Sequence, residues 1–301
     1  MRLRITHDTV YRYEGPIADL VQSLRLTPAN SAAQKVLEWR IALVGGCFGT
    51  RLLDGGGDRV ESWTLRGPVA EVVVAVRGLV DTSDTVGVLR GHRELVNPLV
   101  YLRDTPATTA DEAIRALADA VEAEGELALA HALSARVADA IGYQPGATHP
   151  ATTAAEALAG GAGVCQDHAQ VLIGAARHRG LPARYVQGYL AADASGAPHE
   201  AAHAWAELHI GGLGWVGFDP ANRCCPDARY VRVGSGLDAQ DAAPIRGVAS
   251  GAAQGALAVD LRVEPVGDAE TDLLPMPEPP ETGTGGPVVF APGPGMPQMQ
   301  Q

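Results

Sequence analysis

One stretch constrains this chain more than any other: Gly160 to Gly180, GGAGVCQDHAQVLIGAARHRG. Glycines crowd ahead of a cysteine, an apolar run follows, and Arg177, His178 and Arg179 close it before Gly180. The order predicts a tight turn, then a helix. Glycine permits the turn, cations suit the negative helix C-terminus, and Gly180 takes the position just past the last turn. Cys165 is then expected at the N-terminal end, where unpaired N–H groups and the helix dipole stabilise a thiolate.

Upstream of this stretch the pattern is that of β-structure. Leu3, Ile5 and His7 alternate with Arg2, Arg4 and Thr6, the period of a half-buried strand. The segments SLRLTP, KVLEWRIAL, RVESWTL and VAEVVVAVRGLVDT continue it, broken by Gly, Pro and Asp turns such as Asp54-Gly-Gly-Gly-Asp58. Residues 1–100 read as an antiparallel β-sandwich. Between 101 and 265 the texture is helices first, strands after, which makes the whole chain α+β. Thr109-Ala-Asp-Glu112 and Thr153-Ala-Ala-Glu156 match capping boxes, and two Ala-rich helices are expected over 110–123 and 126–141. Strands are expected at Ala183–Leu190, His203–Ile210, Gly214–Asp219, Tyr230–Val233 and Ala256–Val263. Residues 266–301 are rich in Pro, Gly, Glu and Thr. Such a tail has too little apolar surface to offset its ordering entropy and is expected to be disordered.

A formal net charge of −12 argues against a nucleic-acid partner, which needs clustered cations, and against anionic membranes. No apolar run reaches the roughly 20 residues of a membrane span, and the first residues lack the apolar core of a signal peptide. The expectation is a cytoplasmic protein whose four cysteines, Cys47, Cys165, Cys224 and Cys225, are free thiols.

A cysteine nucleophile requires a base, and the base requires a group that holds it. His203 on an alternating strand and Asp219 at the end of the next satisfy this if both strands pack on the Cys165 helix. With nine histidines in the chain, spacing alone does not single out this trio. The blocks themselves do more. Gly161-Ala-Gly-Val-Cys-Gln-Asp-His-Ala169, Leu181-Pro-Ala-Arg-Tyr-Val-Gln-Gly-Tyr-Leu190, His203-Ala-Trp-Ala-Glu207 and Gly214-Trp-Val-Gly-Phe-Asp-Pro-Ala-Asn222 resemble, in order, the core blocks of bacterial transglutaminase-like proteins. Thr9-Val-Tyr-Arg-Tyr13, Leu24-Arg-Leu-Thr-Pro28 and Phe48-Gly-Thr50 resemble the β-rich N-terminal region those proteins carry. The resemblance implies a papain-like core over 101–265, with Cys165 as nucleophile, His203 as base and Asp219 as orienter. It implies attack on an amide carbonyl of a peptide or protein substrate to give a thioester, with no metal or other cofactor. Water resolving the thioester makes a peptidase or amidase, the reading preferred here; an amine makes a transglutaminase. The Cys165 N–H is the natural oxyanion donor, with Tyr143 or Gln166 as candidates for a second. One departure stands out: His168 occupies a position where the family usually has Phe or Tyr.

Other readings come from the same residues. His199-Glu-Ala-Ala-His203 is literally H-E-x-x-H, and with His209 it imitates a zinc-peptidase pattern. Pro198 and the His-x-Trp-x-Glu-x-His alternation favour a loop entering a strand instead. Cys224-Cys225 lacks metal-ligand spacing. Asp167 is expected to cap its helix, Trp205 and Trp215 to be core aromatics, Arg184 to pair with an acid, and Glu207 to lie on a solvated strand face. A fold retained only as a binding module would have lost a member of the trio, and all are present.

Overall fold

A computed structural model describes residues 1–192 and 202–278 of the chain. Residues 193–201, with His199 and Glu200 of the zinc pattern, and residues 279–301, most of the expected tail, lie outside the described residues.

The first unit is one antiparallel sheet that folds over on itself. Its strands are β1 (Arg2–Thr27), β2 (Gln34–Leu43), β3 (Cys47–Leu53) and β4 (Arg59–Thr82). β1 and β4 pair along nearly their whole length. Gly15-Pro16 and Gly67-Pro68 lie within these strands and do not end them. The register shifts there instead, as it must where proline withholds an N–H from the ladder. The two halves of the bent sheet then face each other: Tyr11, Val72 and Val74 from one half share a core with Leu20, Leu24 and Leu65 from the other. The sandwich is therefore made of one continuous sheet.

Four helices follow: α1 (Glu112–Asp119), α2 (Glu126–Ala140), α3 (Ala154–Gly160) and α4 (Cys165–His178). Two short strands, β5 (Gly142–Tyr143) and β6 (Ala162–Gly163), pair in parallel between them. The capping box at Thr153–Glu156 forms. The one expected at Thr109–Glu112 does not, because Asp111 is closer to the first turn and accepts from Ile114 N–H. A second sheet, in the order β10 (Tyr230–Gly236), β7 (Ala183–Leu190), β8 (Ala202–Ile210) and β9 (Gly214–Phe218), is antiparallel throughout.

This second sheet is covered on both faces. Ala204, Ala206, Leu208 and Ile210 of β8 pack with Val171, Leu172, Ala175 and Ala176 of α4. α4 is accordingly buried on every side from Asp167 to Arg177, polar residues included. On the other side Tyr189, Val231 and Val233 join Leu3, Ile5 and Val80 of the first sheet. The chain then returns to that first sheet. β11 (Ile245–Gly251) and β12 (Gln254–Val266) both pair with β1, so residues 245–266, read from sequence as part of the 101–265 unit, complete the N-terminal sheet. Beyond β12, Arg4 pairs with Glu270 and Arg77 donates to Pro275 O. The start of the tail is thus tied down. Among the described residues no helix is long and apolar enough to cross a membrane.

Candidate active site

Cys165 is the first residue of α4 and half-buried. The turn before it is built by β5–β6 pairing, with Gln144 N–H donating to Gly163 O at 2.8 Å. Gly163 is required there, because a Cβ would lie 2.6 Å from a carboxylate oxygen of Asp167. Asp167 caps the helix as expected: it accepts from Val164 N–H at 2.7 Å and from the Thr148 hydroxyl at 2.6 Å.

His203 enters from the start of β8, opposite Gly188 of β7. Gly188 has no side chain to displace the Trp205 ring, which a Cβ would meet at 2.8 Å. Trp205 in turn stacks against His203 with centroids 6.3 Å apart. Asp219 follows β9, held in a tight bridge to Cys224. His203 Nε2 and Asp219 Oδ2 are 2.6 Å apart, both groups buried, and the Cys165 sulfur is close enough to act on the same imidazole electrostatically. The sequence-predicted trio is thus brought together. Burial alone would strip the charge from His203, but the Asp219 carboxylate and then the Cys165 sulfur outweigh it and raise the ring to about 10. A shift in that direction favours the imidazolium at neutral pH. Burial pushes Asp219 up, yet the charge on His203 and bonds from His203, Asn222 and Tyr230 hold it below the ordinary carboxylate value.

Two of those partners escaped the sequence reading. Tyr230 donates its hydroxyl to Asp219 Oδ2 at 2.7 Å, and the Asn222 side chain donates to the same oxygen at 2.8 Å. Asn222 also donates its backbone N–H to Oδ1 at 3.2 Å. Asn222 lies within the Gly214–Asn222 block and was there to be noticed. Tyr230 comes from β10, and no local pattern announces it.

The remaining expectations divide. Trp205 and Trp215 are buried aromatics. Arg184 pairs with Glu94 and Glu207 at 2.6 and 2.7 Å. Glu207 is not solvated: it is buried between Arg184 and Arg232, because the face of β8 read as open is covered. Cys224 and Cys225 are free thiols that burial pushes up, Cys225 to about 11. The Gln166 amide donates to Pro150 O at 3.1 Å, which directs it away from a second oxyanion role, while Tyr143 stands on β5, half-exposed. His203 and His209 belong to one strand, and six residues of strand separate them by about 20 Å, too far to share an ion. His168 is buried, its Nδ1 2.9 Å from Val164 O and its Nε2 3.0 Å from Ile141 O.

Comparison with known proteins agrees with this fold. The family model of the transglutaminase-like superfamily matches residues 115–220, and that of the bacterial transglutaminase-like N-terminal region matches residues 3–81. An uncharacterised protein of Mycobacterium leprae is 30% identical over 282 residues, covering 87% of this chain and 98% of that protein. A relative in Mycobacterium tuberculosis is 29% identical over 273 residues, with 82% and 87% covered. Among solved structures, a candidate cysteine protease from Cytophaga hutchinsonii superposes with a TM-score of 0.67 at 21% identity, over 91% of this chain and 93% of the other. At that identity the likeness is one of fold.

Proposed function

The chain belongs to the transglutaminase-like superfamily, and from that premise we propose that it is a cysteine hydrolase of peptide or isopeptide amides. The observation that carries the reading is one imidazole, His203, held by a buried carboxylate and lying within electrostatic reach of the Cys165 sulfur at the start of α4.

The chemistry follows from the charges. The Cys165 sulfur, at the positive end of α4, attacks the amide carbon; an S–C bond forms and the carbonyl electrons move to oxygen. The backbone N–H of Cys165 receives that oxyanion. Collapse breaks the C–N bond, and the imidazolium of His203 gives its proton to the departing amine. Nε2 is committed to Asp219, so Nδ1 is the atom that serves the sulfur and the leaving group. Water then adds to the thioester and loses its proton to His203; the C–S bond breaks, releasing the acid and returning the sulfur as a thiolate beside the imidazolium. Asp219 holds one ring orientation throughout and stabilises the ring's charge. Amine transfer uses the same acyl-enzyme and differs in the group that resolves it. Hydrolysis is the outcome proposed here, and it is the activity attributed to the C. hutchinsonii neighbour.

Alkylation separates this reading from simple exposure. Cys47 is exposed, whereas Cys165 is half-buried, so accessibility alone makes Cys47 the faster thiol. Iodoacetamide at neutral pH is expected to modify Cys165 first, as read by peptide mass mapping. Labelling in order of exposure would remove the activated thiolate. His203→Ala is expected to lower amide turnover by at least ~10²-fold, the scale of general acid–base loss.

A further inference from the structure

The histidine that departs from the family pattern sits where its chemistry can be read. His168 is buried, at 2% exposure, and each ring nitrogen faces a backbone carbonyl: Nδ1 at 2.9 Å from Val164 O, Nε2 at 3.0 Å from Ile141 O. A carbonyl oxygen accepts and cannot donate, and a neutral imidazole has one N–H. A neutral ring would therefore set a lone pair against one of the two oxygens in a site closed to water. With both nitrogens protonated, both contacts become hydrogen bonds.

We propose that His168 is a positioning residue for the nucleophile, a doubly protonated clamp that joins β5 to the first turn of α4. This rests on the reading of Cys165 as that nucleophile. Ile141 leads into β5, and Val164 is the N-cap residue just before α4. The two segments already pair as β5 and β6, but over two residues each, which is little to hold a reacting group. His168 adds a bond to each side. Val164 O also accepts the His168 backbone N–H at 3.2 Å, so the peptide preceding Cys165 is fixed from two directions. The N–H proposed to receive the oxyanion belongs to that peptide.

The charge matters as well as the bonds. Residues three apart on a helix lie on neighbouring turns of one face, so the imidazolium of His168 is within a turn of the Cys165 sulfur. A cation at a helix N-terminus is opposed by the dipole; here Asp167 is beside it in the chain and the sulfur near it, both able to carry the balancing charge. The Tyr143 ring of β5 lies 6.4 Å from the His168 ring, centroid to centroid. A Phe or Tyr at this position would fill the space and supply neither bond across the turn nor charge.

The test uses the full chain labelled with ¹⁵N-histidine. Long-range ¹H–¹⁵N spectra near neutral pH are expected to show both His168 nitrogens protonated, assigned by the signals lost in His168→Phe or, if that variant does not fold, in His168→Gln. One unprotonated nitrogen would overturn the clamp. The rate constant for iodoacetamide at Cys165 is expected to fall about tenfold or more in the folded variant, the loss of one or two hydrogen bonds to a charged group. An unchanged rate would overturn the positioning role. Slow alkylation of Cys165 already in the wild type is a different failure: it removes the functional reading, and the positioning role with it. Fast wild-type alkylation beside a singly protonated His168 removes the clamp alone.

Discussion

Two clusters of buried charge alternate onto the same face of β8, one starting at His203 and the other at Glu207. In the first, His203 and Asp219 form an ion pair whose remaining valence is turned toward a half-buried thiol. In the second, Glu207 is held by Arg184 and Arg232, Arg184 continues to Glu94, and Arg232 to Asp58. Asp58 lies between β3 and β4 in the first unit and also accepts from Ser235. Both clusters bear the cost of desolvating charge. One directs what is left toward Cys165, the proposed nucleophile; the other closes its contacts inside the fold and fastens the two sheets together. Buried charge on this sheet thus has no single meaning, and the sorting feature is whether the chain of partners ends on a nucleophile or on another structural group.

The largest expected effect breaks the second cluster. Glu207→Ala strands Arg184 and Arg232 in a dry interior, and losing one partner of a buried pair costs about 3–5 kcal/mol. Urea unfolding is the measurement, with Cys165 alkylation expected to persist in whatever remains folded. A loss below about 1 kcal/mol, the value of a surface pair, would mean that the network is solvated and the contrast with the first cluster false.

Next comes the first cluster. Tyr230→Phe removes one hydrogen bond to the Asp219 carboxylate, worth about 1.5–3 kcal/mol to a charged acceptor. If that bond matters more once His203 is engaged in proton transfer, turnover falls roughly 10- to 100-fold. KM is expected to stay put, because Tyr230 acts on the reaction through Asp219 and the His203 ring it packs against. A change confined to KM would move Tyr230 out of the orienting group and into the substrate's path.

The same contrast explains which parts of the molecule were legible in the sequence. The helix start at Cys165 and the cap at Thr153 are local, and the structure places both as read; the choice of Cys165, His203 and Asp219 was motif-borne, and His203 and Asp219 meet. Glu207 was misread because strand alternation reports that a face exists, not what covers it. The cover here includes Arg184 and Arg232 of neighbouring strands, and Arg232 is tied to Asp58, far away in the chain. Strand β11 was missed for a related reason: its partner is β1, with Ile17 opposite Gly251, and pairing at such separation leaves no local trace. Tyr230 shows the same thing at the site itself. Its contact with Asp219 depends on β10 lying beside β7, a topological fact that no window of sequence contains.

The smallest effect is the most diagnostic, because the two clusters fail on opposite sides of neutrality. Glu207 and Asp58 are pushed up by burial but held below their ordinary values by Arg232 and its neighbours. Carboxylates of that kind stabilise the fold above their unfolded pKa, and the contribution disappears as pH falls through the folded value. His203 runs the other way. Its folded value is raised from 6.5 to about 10 against the pull of burial, so its contribution is complete below 6.5 and is lost as pH climbs toward 10. The comparison to make is melting temperature against pH for the wild type, Glu207→Gln and His203→Gln. The gap between wild type and Glu207→Gln is expected to close on the acid side, and the gap to His203→Gln on the alkaline side, at about 2–4 °C for each kcal/mol. If both gaps closed on the acid side, His203 would be neutral in the folded protein, and the imidazolium that donates to the leaving amine would have to be sought elsewhere.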